Sequence, residues 1–469
     1  MTAHADPEGE SGGISPPNPG PTRERILALD VVRGFAVLGI LLMNISSFAI
    51  PEEAMERPWA LGGTWLDAVV WWLTTVFFEG KMRALFSMLF GAGVILFTLE
   101  RPSQGESVAD LYYRRILWLA VIGFLHGKFL WEGDILFIYG MVGLVLFVFR
   151  NLKPGILIAL GLGAMWWNMA DPVWSAMELL ELRSDASQAM VIREKGGELT
   201  TQEEEYITKW EEKLKGPSLE DMEEEIRKRR GGYWSNYSHR AALSAGAGFD
   251  SMADIFLDAA MAMFLGMGLY KKGFFTGKLP RNYYLLLMIL SYGFGIPITA
   301  WLAGYQLATN FNPGDVDLFQ ALLQQPTRIA IALGHASAIM LLLQSGIWPR
   351  FMARMASVGR MALTNYLFQT LICTTLFYGY GLGWFGYLNR IQLLLVVFAV
   401  WALETAWSQP WLSRFHFGPA EWLWRWLTYL QKPPFLRDSP SNPGTILASV
   451  PQKPEEGSTK ANAKPGENA

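Results

Sequence analysis

The sequence predicts an all-α fold: a polytopic transmembrane helical bundle of about ten spanning helices with one helical extracytoplasmic insert. Three observations predict it. Of 469 residues, 51% are hydrophobic and only 17% charged, against about 25% charged in ordinary soluble domains. The apolar residues fall in blocks of roughly 17–24, the length at which a helix crosses a bilayer. Basic residues gather in alternate loops, as the positive-inside rule requires. The net charge of −3 is segregated along the chain and leaves no basic footprint for nucleic acid. The single cysteine, Cys373, forms no internal disulfide, and no CxxC or Cys/His spacing offers a metal site. No GxSxG, HExxH, P-loop or Rossmann pattern stands in a usable context.

Residues 1–24 read as a disordered tail, because Met1 to Pro21 hold no Lys or Arg and are rich in Gly, Pro, Ser and Glu. They lack the basic start of a signal peptide, so the first apolar run is an uncleaved helix. The N-terminal transmembrane half, 25–172, holds spans at Leu27–Phe48, Ala84–Leu99, Ile116–Leu130, Ile135–Phe149 and Ile156–Ala170. The C-terminal transmembrane domain, 249–430, holds Ile255–Tyr270, Tyr284–Tyr305, Ile329–Leu343, Ala362–Phe377 and Ile391–Glu404. Residues 431–469 form a second disordered tail. Arg101, Arg114, Arg115, Arg150, Lys153, Lys271, Lys272, Lys278, Arg281, Arg350, Arg354 and Arg360 mark the cytoplasmic loops. Glu132, Asp134, Asp315 and Asp317 mark the opposite ones. Both termini are then cytoplasmic, which suits Arg23 and Arg25. Trp65–Phe78 must lie along the outer interface or be re-entrant, as its tryptophans suit. The alternative is an eleventh span with the N-terminus outside.

The insert, 173–248, reads as a helical hairpin. Thr201-Gln-Glu-Glu204 has the form of a capping box. Ser218 caps a second helix that ends on Arg227, Lys228, Arg229 and Arg230 before Gly231 and Gly232. It is also readable as a solvated connector.

Charges inside apolar runs are costly and mark function by default. On the first helix Asp30 and Arg33 are three apart and share a face, so they can pair. Asn44, three turns beyond Arg33, extends that face into a polar stripe, or serves as glue between helices. Glu79, Lys81 and Arg83 stand at the outer boundary, where Glu79 is a plausible local partner, and Gly91 and Gly93 permit close helix packing. In "GFLHGKFLWEGDIL", His126 lies one to two turns before the boundary and Asp134 opens the next helix. The turn brings them together. A carboxylate orienting an imidazole is a general-base arrangement; a bundle histidine beside an ordinary helix cap is the plainer alternative. Lys128 and Glu132 can reach water by snorkelling. His335 is isolated from other charges and reads as a satisfied core histidine. His239 and His416 read as structural or solvated.

The stretches "LDVVRGFAVLGILLMNI", "LFSMLFGAG", "GFLHGKFLWEGDILFIYGMVGL", "GRMALTNYLFQTLICTTLFYGYGLG" and "FGPAEWLWRWLTY" resemble the YeiB-like family of bacterial inner-membrane proteins. Its C-terminal half is domain of unknown function 418. The resemblance covers Arg25 to Tyr429 and implies an inner-membrane, multi-pass protein. More distantly, Arg25, Asp30, Arg33, Gly34, Met43 and Asn44 are similar to the opening helix of transmembrane acyltransferases such as heparan-alpha-glucosaminide N-acetyltransferase. That likeness implies a ten-helix bundle with a central tunnel, in which acyl-CoA is a co-substrate and no cofactor is tightly bound. The acceptor is an extracytoplasmic glycan or lipid-linked molecule. The heparan enzyme's active histidine follows its first helix, whereas Ser46 to Thr64 here contains none. His126 with Asp134 is the substitute base. Asn44 polarises the thioester, and Asp30, Arg33, Arg114 and Arg115 stand where CoA phosphates enter. Glu79, Arg83 and His335 are further candidates. A transporter for a small polar or lipid-linked solute and a non-catalytic scaffold remain as alternatives. Membrane lipids are expected partners, nucleic acid is not, and oligomeric state is open.

Overall fold

A computed structural model describes residues 26–99, 107–215, 218–246, 249–314 and 317–437. In chain order the helices are α1 (Leu27–Ala49), α2 (Glu52–Met55), α3 (Trp65–Phe77), α4 (Lys81–Thr98), α5 (Val108–Phe129), α6 (Leu136–Phe149), α7 (Pro154–Glu194), α8 (Thr201–Leu214) and α9 (Leu219–Arg229). They continue as α10 (Tyr233–Gly246), α11 (Phe249–Lys271), α12 (Arg281–Ala308), α13 (Asp317–Gln344), α14 (Pro349–Arg360), α15 (Ala362–Phe377), α16 (Arg390–Arg414) and α17 (Pro419–Tyr429).

Each of the ten expected spans is a helix. Among the described residues seven stretches are both long and apolar enough to cross a membrane: α1, Trp65–Thr98, α7, Met252–Lys271, α12, α13 and α16. The others differ for physical reasons. α5 has the length but carries Asp110, Arg114, Arg115 and Lys128. α6 and α15, at 14 and 16 residues, rise only about 21–24 Å, short of the ~30 Å hydrocarbon core. α3 is a 13-residue helix with a Thr64–Asp67 capping box, joined to α4 through Gly80 in the left-handed region. It packs on α12, where the Trp72 indole donates to the Ala300 carbonyl at 3.2 Å.

α1 is buried almost all round, as a helix apolar on every face must be. It crosses α14 so closely that a Cβ on Gly34 would lie 2.0 Å from the Met355 carbonyl oxygen. One on Gly359 would lie 1.9 Å from that of Asp30. α4 and α11 repeat this reciprocal contact, Gly91 against Met263 and Gly266 against Met88. Helices in lipid gain nothing from hydrophobic exclusion, so such backbone approach supplies their packing energy.

The basic segments share one end of the bundle. Lys271 donates to the Arg150 and Leu152 carbonyls at 2.6 and 2.7 Å, and Arg114 to that of Thr428 at 3.0 Å. Arg23, Arg25, Arg101 and Asp315 lie outside the described residues, as do 1–25 and 438–469. Residues 431–437, assigned to the tail, fold back instead: Phe435 packs on Trp411, Phe415 and Trp422, and Arg437 donates to the Leu412 and Phe415 carbonyls.

The insert lies at the opposite end. α7 runs unbroken through Pro172 for 41 residues, so no chain break marks residue 173. The α8 capping box pairs Thr200 with Glu203, one residue earlier than expected, and Ser218 caps α9 through the Asp221 amide. The insert is docked rather than solvated. Arg229, 3% exposed, pairs with Glu132, donates to the Tyr378 hydroxyl at 3.2 Å and accepts the Gly379 amide on its own carbonyl. Arg230 donates to the Phe385 carbonyl and stacks over Tyr387. Glu132 thus finds a cation instead of snorkelling to water. Burial alone would weaken the Arg229 guanidinium's hold on its proton, but Tyr378, Glu132 and Glu225 outweigh it and raise its pKa. Arg229→Ala is expected to release α9: amide exchange across 219–230 should rise roughly 10- to 100-fold, matching the ~1.5–3 kcal/mol of hydrogen bonds to a charged group. Unchanged protection would contradict this docking.

Candidate functional site

α5 and α6 approach closely at two glycines. A Cβ on Gly123 would lie 2.1 Å from the Phe137 nitrogen, and one on Gly140 would lie 2.6 Å from Ala120. This contact sets the intervening turn and brings its two polar groups together, as the sequence predicts. His126 Nδ1 and Asp134 Oδ1 are 2.7 Å apart, with side chains 2% and 3% exposed. The second Asp134 oxygen accepts the Phe137 amide at 2.8 Å, capping the first turn of α6. With Nδ1 engaged by the carboxylate, Nε2 is the ring nitrogen left over. That buried nitrogen has no protein partner among the described residues.

Below the turn lies a cavity of about 370 Å³, within the range of small-molecule sites. Its mouth holds Arg33, Arg115, Arg360 and Arg425 with Asp30 and Glu421. Asp30 and Arg33 pair at 3.1 Å. Arg115 stacks over Trp424 at 3.8 Å. Glu421 caps α15, accepting the Leu363 and Thr364 amides at 2.8 and 3.0 Å and the Thr364 hydroxyl at 2.5 Å. Burial pushes its carboxyl above the usual range, although those bonds pull the other way. The walls are apolar: Phe86, Leu89, Phe90, Val94 and Phe97 from α4, Ile116 and Leu119 from α5, Leu136 from α6.

The far end is closed by Tyr139 and Tyr366. The Tyr366 ring centre is 5.4 Å from that of His126, and its hydroxyl accepts the Ile135 amide at 3.4 Å. The cavity that starts at Arg33 therefore stops one aromatic ring short of the His–Asp pair, and His126 does not line it. Sequence spacing could not place Tyr366 there, because it belongs to another helix 240 positions after His126.

Other expected residues separate. Arg114 does not line the cavity and bonds to Thr428 instead, since adjacent residues on a helix face different ways. The α1 wall of the cavity ends at Ile40, one turn short of Asn44, so the polar stripe is interrupted by Val37, Leu38 and Leu41. Glu79 accepts the Thr75 hydroxyl, while Arg83 turns to Asp258 at 3.4 Å. Asp258 is gripped at both oxygens by Arg328 and touched by Gln325. This ion cluster joins α4, α11 and α13. The sequence shows Asp258 and Arg328 only as isolated charges in apolar runs. His335 has both ring nitrogens engaged: Nε2 donates to the Phe77 carbonyl at 2.7 Å and Nδ1 accepts the Tyr292 hydroxyl at 2.8 Å. Arg360, Arg425, Glu421, Tyr139 and Tyr366 are the cavity residues that spacing alone did not single out.

Residues 269–431 match a family described as proteins of unknown function (DUF418). The uncharacterized protein YeiB of Escherichia coli K12 is 33% identical over 416 residues, covering 86% of this chain and 96% of its own length. The uncharacterized protein YxaH of Bacillus subtilis 168 is 29% identical, over 89% of this chain and 97% of its own. An uncharacterized 39.9 kDa protein in the amylase 3′ region of Bacillus acidopullulyticus is 26% identical, over 88% and 96%. No solved structure matches the chain.

Proposed function

The chain belongs to the YeiB-like family, and on that premise we propose that it is a membrane acyltransferase, taking an acyl group from acyl-CoA and placing it on an extracytoplasmic glycan or lipid-linked acceptor. The observation that carries the reading is the cavity: a guanidinium-rich mouth, apolar walls, and an inner end one ring from a histidine oriented by a carboxylate. Arg33, Arg115, Arg360 and Arg425 hold the phosphates of the donor, where planar guanidiniums bind bidentately. The mouth faces the cytoplasm, since Arg114, Arg150 and Lys271 share its end of the bundle and basic segments favour that side.

His126 Nε2 takes the proton of the acceptor hydroxyl as its oxygen attacks the thioester carbonyl. The new carbon–oxygen bond forms, the carbon–sulfur bond breaks, and the departing thiolate receives the proton. Asp134 orients the imidazole and favours the imidazolium that forms in between. Tyr366 is the wall past which the acceptor and His126 meet. Asn44 and Arg114 take no part.

The test is transfer of labelled acyl groups from acyl-CoA to extracted envelope glycans by the purified protein in nanodiscs. Label should appear in the glycan fraction and depend on Arg33 and Arg115; no transfer with short or long acyl chains would end the proposal. One observation favours a second reading, a transporter: Asp258, Arg328 and Arg83 form an ion cluster among apolar helices, just beyond Tyr139, whose hydroxyl donates to the Arg83 carbonyl at 3.4 Å, as pathway residues do. Solute flux into liposomes without any acyl donor would favour it.

A further inference from the structure

The turn that carries His126 and Asp134 is covered by the second half of the insert. α9 lays Arg229 on Glu132, and the same guanidinium donates to the Tyr378 hydroxyl. From α10 the Tyr233 hydroxyl donates to the Phe129 carbonyl at 2.9 Å and Arg240 to the same oxygen at 3.2 Å, while Lys128 lies 5.4 Å from the Tyr237 ring. Beneath this cover His126 is buried, and so is Trp131, which stacks on Phe48 at 4.2 Å. Three buried polar atoms of the turn have no hydrogen-bond partner among the described residues: His126 Nε2, Trp131 Nε1 and Glu132 Oε2. Buried polar atoms are paired as a rule; the hydroxyls of an entering molecule would pair these.

We infer that α9 and α10 form the outer gate of the site: they lift to admit the acceptor to His126, and the Arg229–Glu132 ion pair is the latch. This rests on the acyl-transfer reading above and adds its regulation. Three observations carry it. The cavity reaches only as far as Tyr366, so it gives an acceptor no route to His126. The cover is braced as one piece: the Asn236 amide donates to the Arg229, Gly231 and Gly232 carbonyls at 3.0, 3.0 and 3.2 Å and ties α10 to the end of α9. Its hold on the bundle is mainly polar. The buried residues of α9 are Met222 and Arg229, with Ile226 half-buried, and those among the described side chains of α10 are Asn236 and Arg240. Lifting therefore uncovers little apolar surface and exchanges hydrogen bonds for bonds to water, which changes stability little for each bond. Lids are drawn from such weakly held elements.

Diethyl pyrocarbonate, which acylates an unprotonated imidazole nitrogen, tests this on the full chain in nanodiscs, with each histidine followed by peptide mass spectrometry. Arg229→Ala removes the latch, and His126 should then react roughly tenfold faster or more, the effect of losing a hydrogen bond to a charged group. His335, with both ring nitrogens engaged, should keep its rate. If His335 quickens equally, Arg229→Ala reports unfolding and a tether decides. For the tether, Arg230→Cys and Tyr387→Cys, whose native side chains stack at 3.5 Å, are joined by a short reducible bis-thiosulfonate linker; the native Cys373 is buried. Tethering should slow the labelling of His126 by roughly tenfold or more relative to the same untethered variant, and a thiol reductant should restore it. Equal rates with and without the tether would overturn the gate, as would an unchanged His126 rate in Arg229→Ala. The labelling needs no acyl donor, so the two readings fail separately. Normal acyl transfer by the tethered protein would sink the gate alone; a wild type that transfers nothing, yet shows tether-dependent labelling, would sink the acyl-transfer reading alone.

Discussion

Replacing His126 with alanine should lower acyl transfer by roughly 10²- to 10⁴-fold, the range general-base removal costs, while donor affinity stays within twofold. The split follows from the geometry: His126 lies outside the cavity wall, so the donor keeps every contact there. The substitution also takes the imidazole partner from the buried Asp134 carboxylate, at a cost on the order of 1–3 kcal/mol. Rates must therefore be taken per folded molecule, with thermal unfolding measured alongside. His126→Gln offers a donor in place of the ring but cannot take up a proton, so the same rate loss is expected. A variant that is less stable yet turns over normally per folded molecule would make the pair a brace for the α5–α6 turn and nothing more.

Gly266→Leu should abolish accumulation of folded protein. Even one methyl at Gly266 would sit 1.9 Å from the Met88 carbonyl oxygen, and backbone cannot rotate away as a side chain does. α4 and α11 would have to separate, and the reciprocal Gly91–Met263 contact would open with them. Overpacking typically costs about 1–3 kcal/mol; a clash on backbone at a helix crossing belongs at or above the top of that range. Gly163→Ala and Gly293→Ala are the controls, since a Cβ at either meets nothing within 4 Å. Both should be neutral or stabilising by up to about 1 kcal/mol. Yield and thermal midpoint in detergent extracts check all three. Normal accumulation of Gly266→Leu would mean that this crossing is not what holds the two helices.

Local chemistry was readable along the chain. Asp30 and Arg33 pair because three residues return to one helix face, and Ser218 caps the helix that follows it. His126 meets Asp134 because only a tight turn separates them. Where a partner lay far along the chain, residue type announced a need without naming what met it. Arg83 wanted a carboxylate and took Asp258 rather than the nearer Glu79. Glu132 took Arg229, and the α15 amides took Glu421. Arg114 and Arg115 are equivalent in sequence, yet only the second faces the cavity.

The sequence by itself determined the class of solvent, the helices and their order, and the polar pairs within one turn or one hairpin, because bilayer thickness and the 3.6-residue repeat act along the chain. Tertiary structure alone decided which faces meet. Lipid-facing and helix-facing surfaces are equally apolar, so hydropathy carries no mark of the contact. The choice falls to backbone approach at glycines and to a few buried charges seeking partners. Gly91 and Gly93 read alike in "LFGAG"; one packs on Met263 and the other lines the cavity.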